Sequence, residues 1–280
     1  MPDVDHRRRV EAARRARLER LQDPEGWLSL VGLEWLHDGE NSVGADPHSD
    51  VVLRGGDAPA RAGTLLVGGS EVRFVAAPDV EVTHDGQRIA EVTLRDDVAG
   101  PPTKLAIGSL RFHLIRRGER WALRVRDRNA AALADFRGIA YFPIDPSWRV
   151  VGLLEPPGAA TLAVPDVIGL VTDEPSAGTF VFARDGTEYR LAAMPGDEPG
   201  RLWLVFGDAT NGRETYGGGR FLYTEPPADD GTVVADFNLA YNPPCVFSPY
   251  ATCPLPPDGN RLPIRVEAGE RAYEGNTLRP

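Results

Sequence analysis

From Asn41 onward the apolar residues come in short alternating runs, among them Val51-Val-Leu53, Thr64-Leu-Leu-Val67, Glu71-Val-Arg-Phe-Val75, Val80-Glu-Val82 and Ala90-Glu-Val-Thr-Leu94, cut apart by Gly-Gly, Asp-Gly and Gly-Pro-Pro. Alternation puts every second side chain on one face of a strand, and Gly and Pro supply the turns between strands. Runs at Leu105–Ile107, Leu110–Arg116 and Arg120–Val125 continue the spacing of a β-sandwich. In Phe142-Pro-Ile-Asp-Pro146 each proline pushes the residue before it out of helical space, which marks a joint. Strands then resume at Arg149–Leu154, Gly178–Ala183, Glu188–Ala192, Arg201–Phe206, Arg220–Tyr223, Thr232–Leu239 and Leu262–Val266. The expected class is mainly β. With 280 residues, 42% of them hydrophobic, the chain is long enough to bury the cores of two units.

Residues 5–21, rich in Ala, Arg, Glu and Leu, predict one long helix. Its apolar positions, Val10, Leu18 and Leu21, are too sparse for a buried stripe, so the helix is expected on the surface or against a partner chain. The segment Gly26-Trp-Leu-Ser-Leu-Val-Gly-Leu-Glu-Trp-Leu36 is dense enough in apolar side chains to be expected buried, and Asn129–Phe136 suits one short helix. The division expected is an N-terminal helix over 1–25, a sandwich over 26–145, and a second β-rich unit with long loops over 146–280.

Net charge is −10, from 31 Lys and Arg against 41 Asp and Glu, which repels phosphate backbones and anionic lipid. Neither a nucleic-acid nor a membrane partner is expected. The first residues lack the apolar core of a secretory signal and no apolar run is long enough for a bilayer, so a soluble cytoplasmic protein is expected. Cys245 and Cys253, the only cysteines, imply two reduced thiols rather than a disulfide framework. No histidine follows His113, so a base confined to the second half has to be a carboxylate. His48 and His84 stand in turns and belong to no ligand-spaced cluster.

The stretch Asp208-Ala-Thr-Asn-Gly-Arg-Glu-Thr-Tyr-Gly-Gly-Gly-Arg220, followed by Asp236-Phe-Asn238 and Tyr241-Asn-Pro-Pro-Cys245, crowds polar side chains between core-forming runs. A strand continuing through Leu239 places Asp236 and Asn238 on one face, about 7 Å apart. Four readings compete. The polar groups cap turns and satisfy loop backbone. Alternatively they line a pocket, with Asp208, Glu214 or Asp236 as catalytic base, Arg220 holding an anionic group, Tyr216 and Tyr241 orienting the substrate, and Asn211, Asn238 and Asn242 contacting it. They can also offer carboxylate and amide oxygens to a hard cation, or form a docking surface. Gly217-Gly-Gly-Arg220 is not followed by Lys-Ser/Thr, and the dinucleotide, nucleophile-elbow, His-Glu-x-x-His and paired Cys-x-x-Cys signatures are absent. No cofactor is implied and no metal ligands are assigned.

Asn41-Ser-Val-Gly-Ala-Asp-Pro-His-Ser-Asp-Val-Val-Leu53 and Val80-Glu-Val-Thr-His-Asp-Gly-Gln-Arg-Ile89 resemble strands and turns of forkhead-associated domains, over roughly residues 28–125. That resemblance implies a β-sandwich. The family's phosphopeptide-binding Arg falls at Ala45 and its Ser-Arg-x-x-His block falls at Ala58 to Ala62, where there is neither Ser nor His, so phosphothreonine binding is not implied. Most of the chain resembles a bacterial and archaeal family of unknown function, DUF1684. The residues that carry this are Gly26–Leu36, Arg126-Asp127, Phe136-Arg-Gly138, Phe142-Pro143, Asp208-Ala-Thr-Asn-Gly212, Thr215-Tyr216, Gly219-Arg220, Asp236-Phe-Asn238, Tyr241-Asn-Pro243 and Cys253-Pro-Leu-Pro-Pro257. The resemblance brings no known activity.

The functional expectation is a protein that binds a small polar or anionic ligand in its C-terminal unit, acting either as an enzyme with a carboxylate base or as a binder alone. The rival class is a non-catalytic interaction module on the forkhead-associated-like scaffold, its sandwich or helix presenting an apolar surface to a partner or, in a homodimer, to a second copy.

Overall fold

A computed structural model describes residues 2–275 other than Asp57 and Ala99. Its contacts divide the chain into two compact units, Arg20–Phe136 and Met1–Glu19 with Arg137–Pro280. These limits differ from the expected 25/26 and 145/146. The N-terminal helix groups with the C-terminal unit because its side chains bond there, as described below.

In the first unit, β1 (Leu30–Trp35), β2 (Gly39–Gly44), β3 (Val51–Val52), β4 (Gly63–Gly68), β5 (Glu71–Ala76), β6 (Val82–His84), β7 (Gln87–Ile89), β8 (Glu91–Leu94), β9 (Lys104–Ile107), β10 (Leu110–Arg117) and β11 (Arg120–Asp127) precede a short helix, Ala131–Asp135. They form a six-stranded sheet, β1-β11-β10-β9-β6-β7, and a five-stranded sheet, β3-β2-β4-β5-β8. Inward residues of both sheets share one core: Leu65, Val72 and Phe74 on one side meet Leu105, Phe112 and Val125 on the other. Phe74 and Phe112 pack edge to face with centroids 5.8 Å apart. This is the expected sandwich. The Trp27–Trp35 segment differs in one respect. Leu28 and Leu30 are buried, whereas both tryptophans are half-exposed under guanidinium groups, Arg126 over Trp27 at 5.1 Å and Arg120 over Trp35 at 4.1 Å. Cation–π stacking thus covers rings that the apolar pattern alone assigns to the core.

The second unit holds β12 (Arg149–Glu155), the hairpin β13 (Thr161–Pro165) and β14 (Val171–Pro175), then β15 (Gly178–Arg184), β16 (Thr187–Pro195), β17 (Leu202–Phe206), β18 (Arg220–Tyr223) and β19 (Thr232–Asp236). Its main sheet runs β18-β17-β16-β15-β12-β19. Just past the end of β18 the chain meets β19, where the Glu225 amide donates to the Val234 carbonyl at 2.9 Å. Inside lies an aromatic core with Phe237 at its centre, its ring 5.3 Å from Phe206, 5.7 Å from Phe182 and 5.9 Å from Trp148.

Two strand expectations fail here. β19 stops at Asp236, and Phe237–Leu239 is a 3-10 turn. Asp236 and Asn238 therefore do not alternate along a strand. Instead the Asp236 carboxylate caps the turn, accepting from the Asn238 amide at 3.1 Å. Residues 262–266 bury Leu262 and Val266 but form no strand, because their backbone bonds go to Gly207, Ala209 and side chains rather than to a ladder.

The N-terminal helix, α1, spans Pro2–Gln22. Its burial follows helical spacing: His6 and Val10 are buried, and Arg14 and Arg17 are half-buried. The face turned inward is mostly polar, which is why counting apolar residues predicts a surface helix. No helix among the described residues is long and apolar enough to cross a membrane.

Candidate functional site

Asp208 follows β17 and Arg220 opens β18, and their side chains form an ion pair at 2.8 Å with no exposure of either. The Asp208 Oδ1 atom also accepts from the Thr210 amide at 2.8 Å, the Thr210 hydroxyl at 2.6 Å and the Val266 amide at 3.2 Å. Arg220 donates to the carbonyls of Val266 at 2.8 Å, Glu270 at 3.2 Å and Ala268. Burial pulls the guanidinium's pKa down, and the Asp208 charge opposes that pull. The pair thus ties two strand ends to the 266–270 segment. Gly219 makes this approach possible: it has φ +91, and a Cβ there would lie 2.5 Å from the Phe206 carbonyl oxygen.

Asn211 closes the intervening loop. Its Oδ1 accepts from the Asp208 amide at 2.6 Å, while Nδ2 donates to the Thr215 hydroxyl at 2.9 Å and the Tyr216 carbonyl at 3.0 Å. Glu214 faces outward to Arg265 at 2.6 Å, and that hydrogen bond holds its carboxyl below the usual range. A carboxylate stabilised in this way is a weak base.

A second polar group forms where α1 meets the same unit. His6 Nε2 lies 2.6 Å from Asp236 Oδ2, with only 7% and 10% of the two side chains exposed. Asn238 braces Asp236, donating from Nδ2 to Oδ1 at 2.8 Å and to the Asp145 carbonyl at 2.8 Å. Its Oδ1 accepts from the Asp145 amide at 2.9 Å. Phe237, locked in the core between them, fixes where both side chains leave the backbone.

Farther along α1, Arg17 Nε donates to Glu270 at 3.0 Å and Nη2 to the Asn242 carbonyl at 2.9 Å. The other Glu270 oxygen accepts from the Asn242 amide at 2.7 Å. Burial pushes the Glu270 carboxyl up, and Arg17 opposes it. Arg17 also lies over the Tyr241 ring at 4.9 Å, and burial raises that phenol strongly. Between them Arg14 donates to the Phe142 carbonyl at 3.1 Å and covers the Tyr141 ring at 4.3 Å. Burial lowers Arg14, opposed first by Tyr141 and then by the charge of Asp236. Three buried polar atoms of this group have no hydrogen-bond partner: His6 Nδ1, Arg14 Nε and Asn242 Oδ1.

Tyr216 lies elsewhere, beside the cysteines, with its hydroxyl 3.5 Å from Cys245 Sγ. The structure therefore separates the expected site residues. Asp208, Asn211 and Arg220 form the internal clamp, Glu214 pairs outward, Asp236 and Asn238 join His6, Tyr241 and Asn242 join Arg17, and Tyr216 joins Cys245. Glu270 links the clamp to α1, its carbonyl accepting from Arg220 and its carboxylate from Arg17. Sequence reasoning missed His6, Arg14, Arg17 and Glu270. The one signal on α1 was the spacing of His6, Val10, Arg14 and Arg17, which places mixed polar and apolar side chains on one helical face. The requirement for a carboxylate base in the second half is also corrected, since α1 brings a histidine to it. Among the described residues, no three His, Cys, Asp or Glu side chains gather as ligands for a metal ion.

Residues 134–271 match the model of the family described as "Protein of unknown function (DUF1684)". Among solved structures, the solution NMR structure of the uncharacterized protein from gene locus rrnAC0354 of Haloarcula marismortui is 33% identical. It covers 51% of this chain and 80% of its own, with a TM-score of 0.43. The FHA structure of Rv0020c is 15% identical over 35% of this chain and 91% of its own, with a TM-score of 0.24. The chain matches none of the curated proteins. The family match spans the Asp208–Arg220 clamp, Asp236, Asn238 and Glu270, and by it residues 134–271 of this chain belong to the DUF1684 family.

Proposed function

We propose that the C-terminal unit binds a small polar or anionic ligand along the inner face of α1, with the His6–Asp236 pair as its acid–base group. The observation that carries this reading is the set of unpartnered polar atoms there, His6 Nδ1, Arg14 Nε and Asn242 Oδ1. A buried polar atom without a partner costs about 1–3 kcal/mol, so such atoms persist where a ligand or a reaction uses them. Arg14 Nε is a donor, Asn242 Oδ1 an acceptor and His6 Nδ1 either, according to tautomer, which suits a ligand carrying both kinds of group. Asp236 serves to orient the imidazole. Asp208, Asn211 and Arg220 are the frame that holds this surface: the bonds they make are internal, and only Arg220 Nε among their side-chain atoms is buried without a partner.

The reading is tested by thermal shift of the whole chain with inorganic phosphate, citrate and ATP. A ligand at 100 times its dissociation constant stabilises the native state by about 2.7 kcal/mol. Stabilisation lost in His6→Gln and in Asp236→Asn supports the site, and stabilisation unchanged in both places the ligand elsewhere.

A second reading rests on a cleft of about 480 Å³ in the sandwich unit, lined by Leu36, Val67, Ser70 and Trp121 with two arginines, Arg116 and Arg120, and two carboxylates, Asp38 and Glu119, of which Glu119 is paired with Arg116. Arg120, exposed and stacked on Trp35, offers its donors to an acidic segment of a partner. Binding of a poly-glutamate peptide that disappears in Arg120→Glu supports this interaction-module function, and binding indifferent to that change removes it.

A further inference from the structure

Cys245 and Cys253, eight residues apart in sequence, are held together in a proline-rich loop: the Cys245 amide donates to Cys253 Sγ at 3.1 Å. Both are reduced. Cys245 is half-buried and Cys253 is buried. The Cys245 thiol donates to the Tyr216 hydroxyl oxygen at 3.5 Å, and after ionisation the same hydroxyl is placed to turn and donate to the thiolate. Tyr216 is held in turn by the Asn211 bond to its carbonyl. The flanking Pro243, Pro244, Pro254 and Pro256 restrict the backbone on either side, so the thiols stay neighbours. A partly reachable sulfur beside a second, less reachable one is the arrangement of an oxidisable thiol with its resolving partner.

From the contact of the Cys245 amide with Cys253 Sγ and of Cys245 Sγ with Tyr216, we propose that Cys245 is a hydroperoxide-reactive thiol and Cys253 the thiol that resolves its oxidised form as an intramolecular disulfide. In the first step the Cys245 thiolate attacks the terminal oxygen of ROOH. The S–O bond forms, the O–O bond breaks, and RO⁻ leaves and takes a proton from water, giving ROH and a Cys245 sulfenic acid. In the second step Cys253, its proton lost to solvent, attacks Cys245 Sγ. The S–S bond forms, the S–O bond breaks, and the departing hydroxide takes up a proton to become water. The two sulfurs together lose two electrons and the peroxide gains two. Access favours Cys245 as the attacking sulfur, since it is half-buried and Cys253 is buried; the Cys253 hydrogen bond pulls the Cys245 thiol below the ordinary value, burial opposes this, and Tyr216 adds to the pull.

The test treats the whole chain with hydrogen peroxide, blocks remaining thiols with N-ethylmaleimide and maps peptides without reduction. The expected product is a Cys245–Cys253 disulfide within one chain, formed at least ~10-fold faster than Cys245 oxidises in the urea-unfolded chain. Dimedone present during oxidation of Cys253→Ser is expected to label Cys245, and Tyr216→Phe is expected to slow the wild-type reaction several-fold. Should Cys253→Ser fail to fold, the mapping and the rate ratio of the unaltered chain still decide. Oxidation no faster than in the unfolded chain, dimedone on neither cysteine, or a disulfide formed only between chains overturns the proposal.

Discussion

His6 on α1 and Asp236 at the end of β19 meet at 2.6 Å although 230 residues separate them in the chain. The contact fastens the N-terminal helix to the C-terminal unit through a hydrogen bond to an ionised group, and such bonds contribute about 1.5–3 kcal/mol. A double-mutant cycle of His6→Gln and Asp236→Asn, read by urea unfolding, should give a coupling energy of that size. A coupling within about 0.5 kcal/mol of zero would mean that the two side chains are neighbours without being partners.

The Asp208–Arg220 pair predicts a different outcome from an exposed ion pair. With both side chains fully buried, removing one partner leaves a desolvated charge, at a cost of about 3–5 kcal/mol. Arg220→Met additionally strands the carbonyls of Val266 and Glu270. Its denaturation midpoint should fall sharply, and Asp208→Ala should fall with it. Loss of ligand binding in an Arg220 variant would therefore report loss of the frame. If Arg220→Met unfolds at the wild-type midpoint, the clamp assignment is wrong.

The turns were the most legible part of the chain. Asp85-Gly86 and Asp185-Gly186 close hairpins with φ of 49° and 51° at the aspartates, a conformation that this dipeptide favours. Sandwich strands such as Glu71–Ala76 were legible because buried and open positions alternate along them. The hairpin β13–β14 was not, because apart from Val164 its inward positions are only half-buried and the alternation is weak. The candidate site was half legible. Asp236-Phe-Asn238 drew attention by its composition, and Phe237 does anchor it. Yet the partner of Asp236 is a histidine at the other end of the sequence, and a contact across 230 residues leaves no local pattern. Arg17 and Glu270 were hidden likewise, since a half-buried arginine on a charged helix reads as one more solvated cation.

Ser42 and Asp50 join β2 to the turn before β3. The carboxylate accepts from the Ser42 amide at 2.8 Å and its hydroxyl at 2.6 Å. These bonds, with a smaller contribution from His37, hold Asp50 down to about 2. Carboxyl-carbon NMR should find that value in the native chain and find it raised toward the ordinary 3.8 in Ser42→Ala. A carboxyl depressed in the folded state lends stability above its unfolded pKa, and this is lost as pH falls from about 3.8 through about 2. An Asp50 value indifferent to Ser42→Ala would assign the shift to another neighbour.

His113, buried on β10, lies opposite Arg124 on β11 and Lys104 on β9. Burial first, then the charges of Arg124 and Arg126, push its imidazole down to about 4 from 6.5, so the folded chain holds it neutral. Between pH 6.5 and 4 the unfolded chain binds a proton that the folded one refuses, so stability rises with pH across that window. The contribution is complete above pH 6.5 and is lost as the pH falls toward 4, by about 3 kcal/mol. His113→Gln removes the titrating group while keeping a polar side chain of related size. The unfolding free energy of the unaltered chain, minus that of His113→Gln, should therefore drop by about 3 kcal/mol from pH 7 to pH 4. Other acid-sensitive groups cancel in the difference. A difference flat across the window would show that His113 takes up its proton in the folded chain as readily as in the unfolded one.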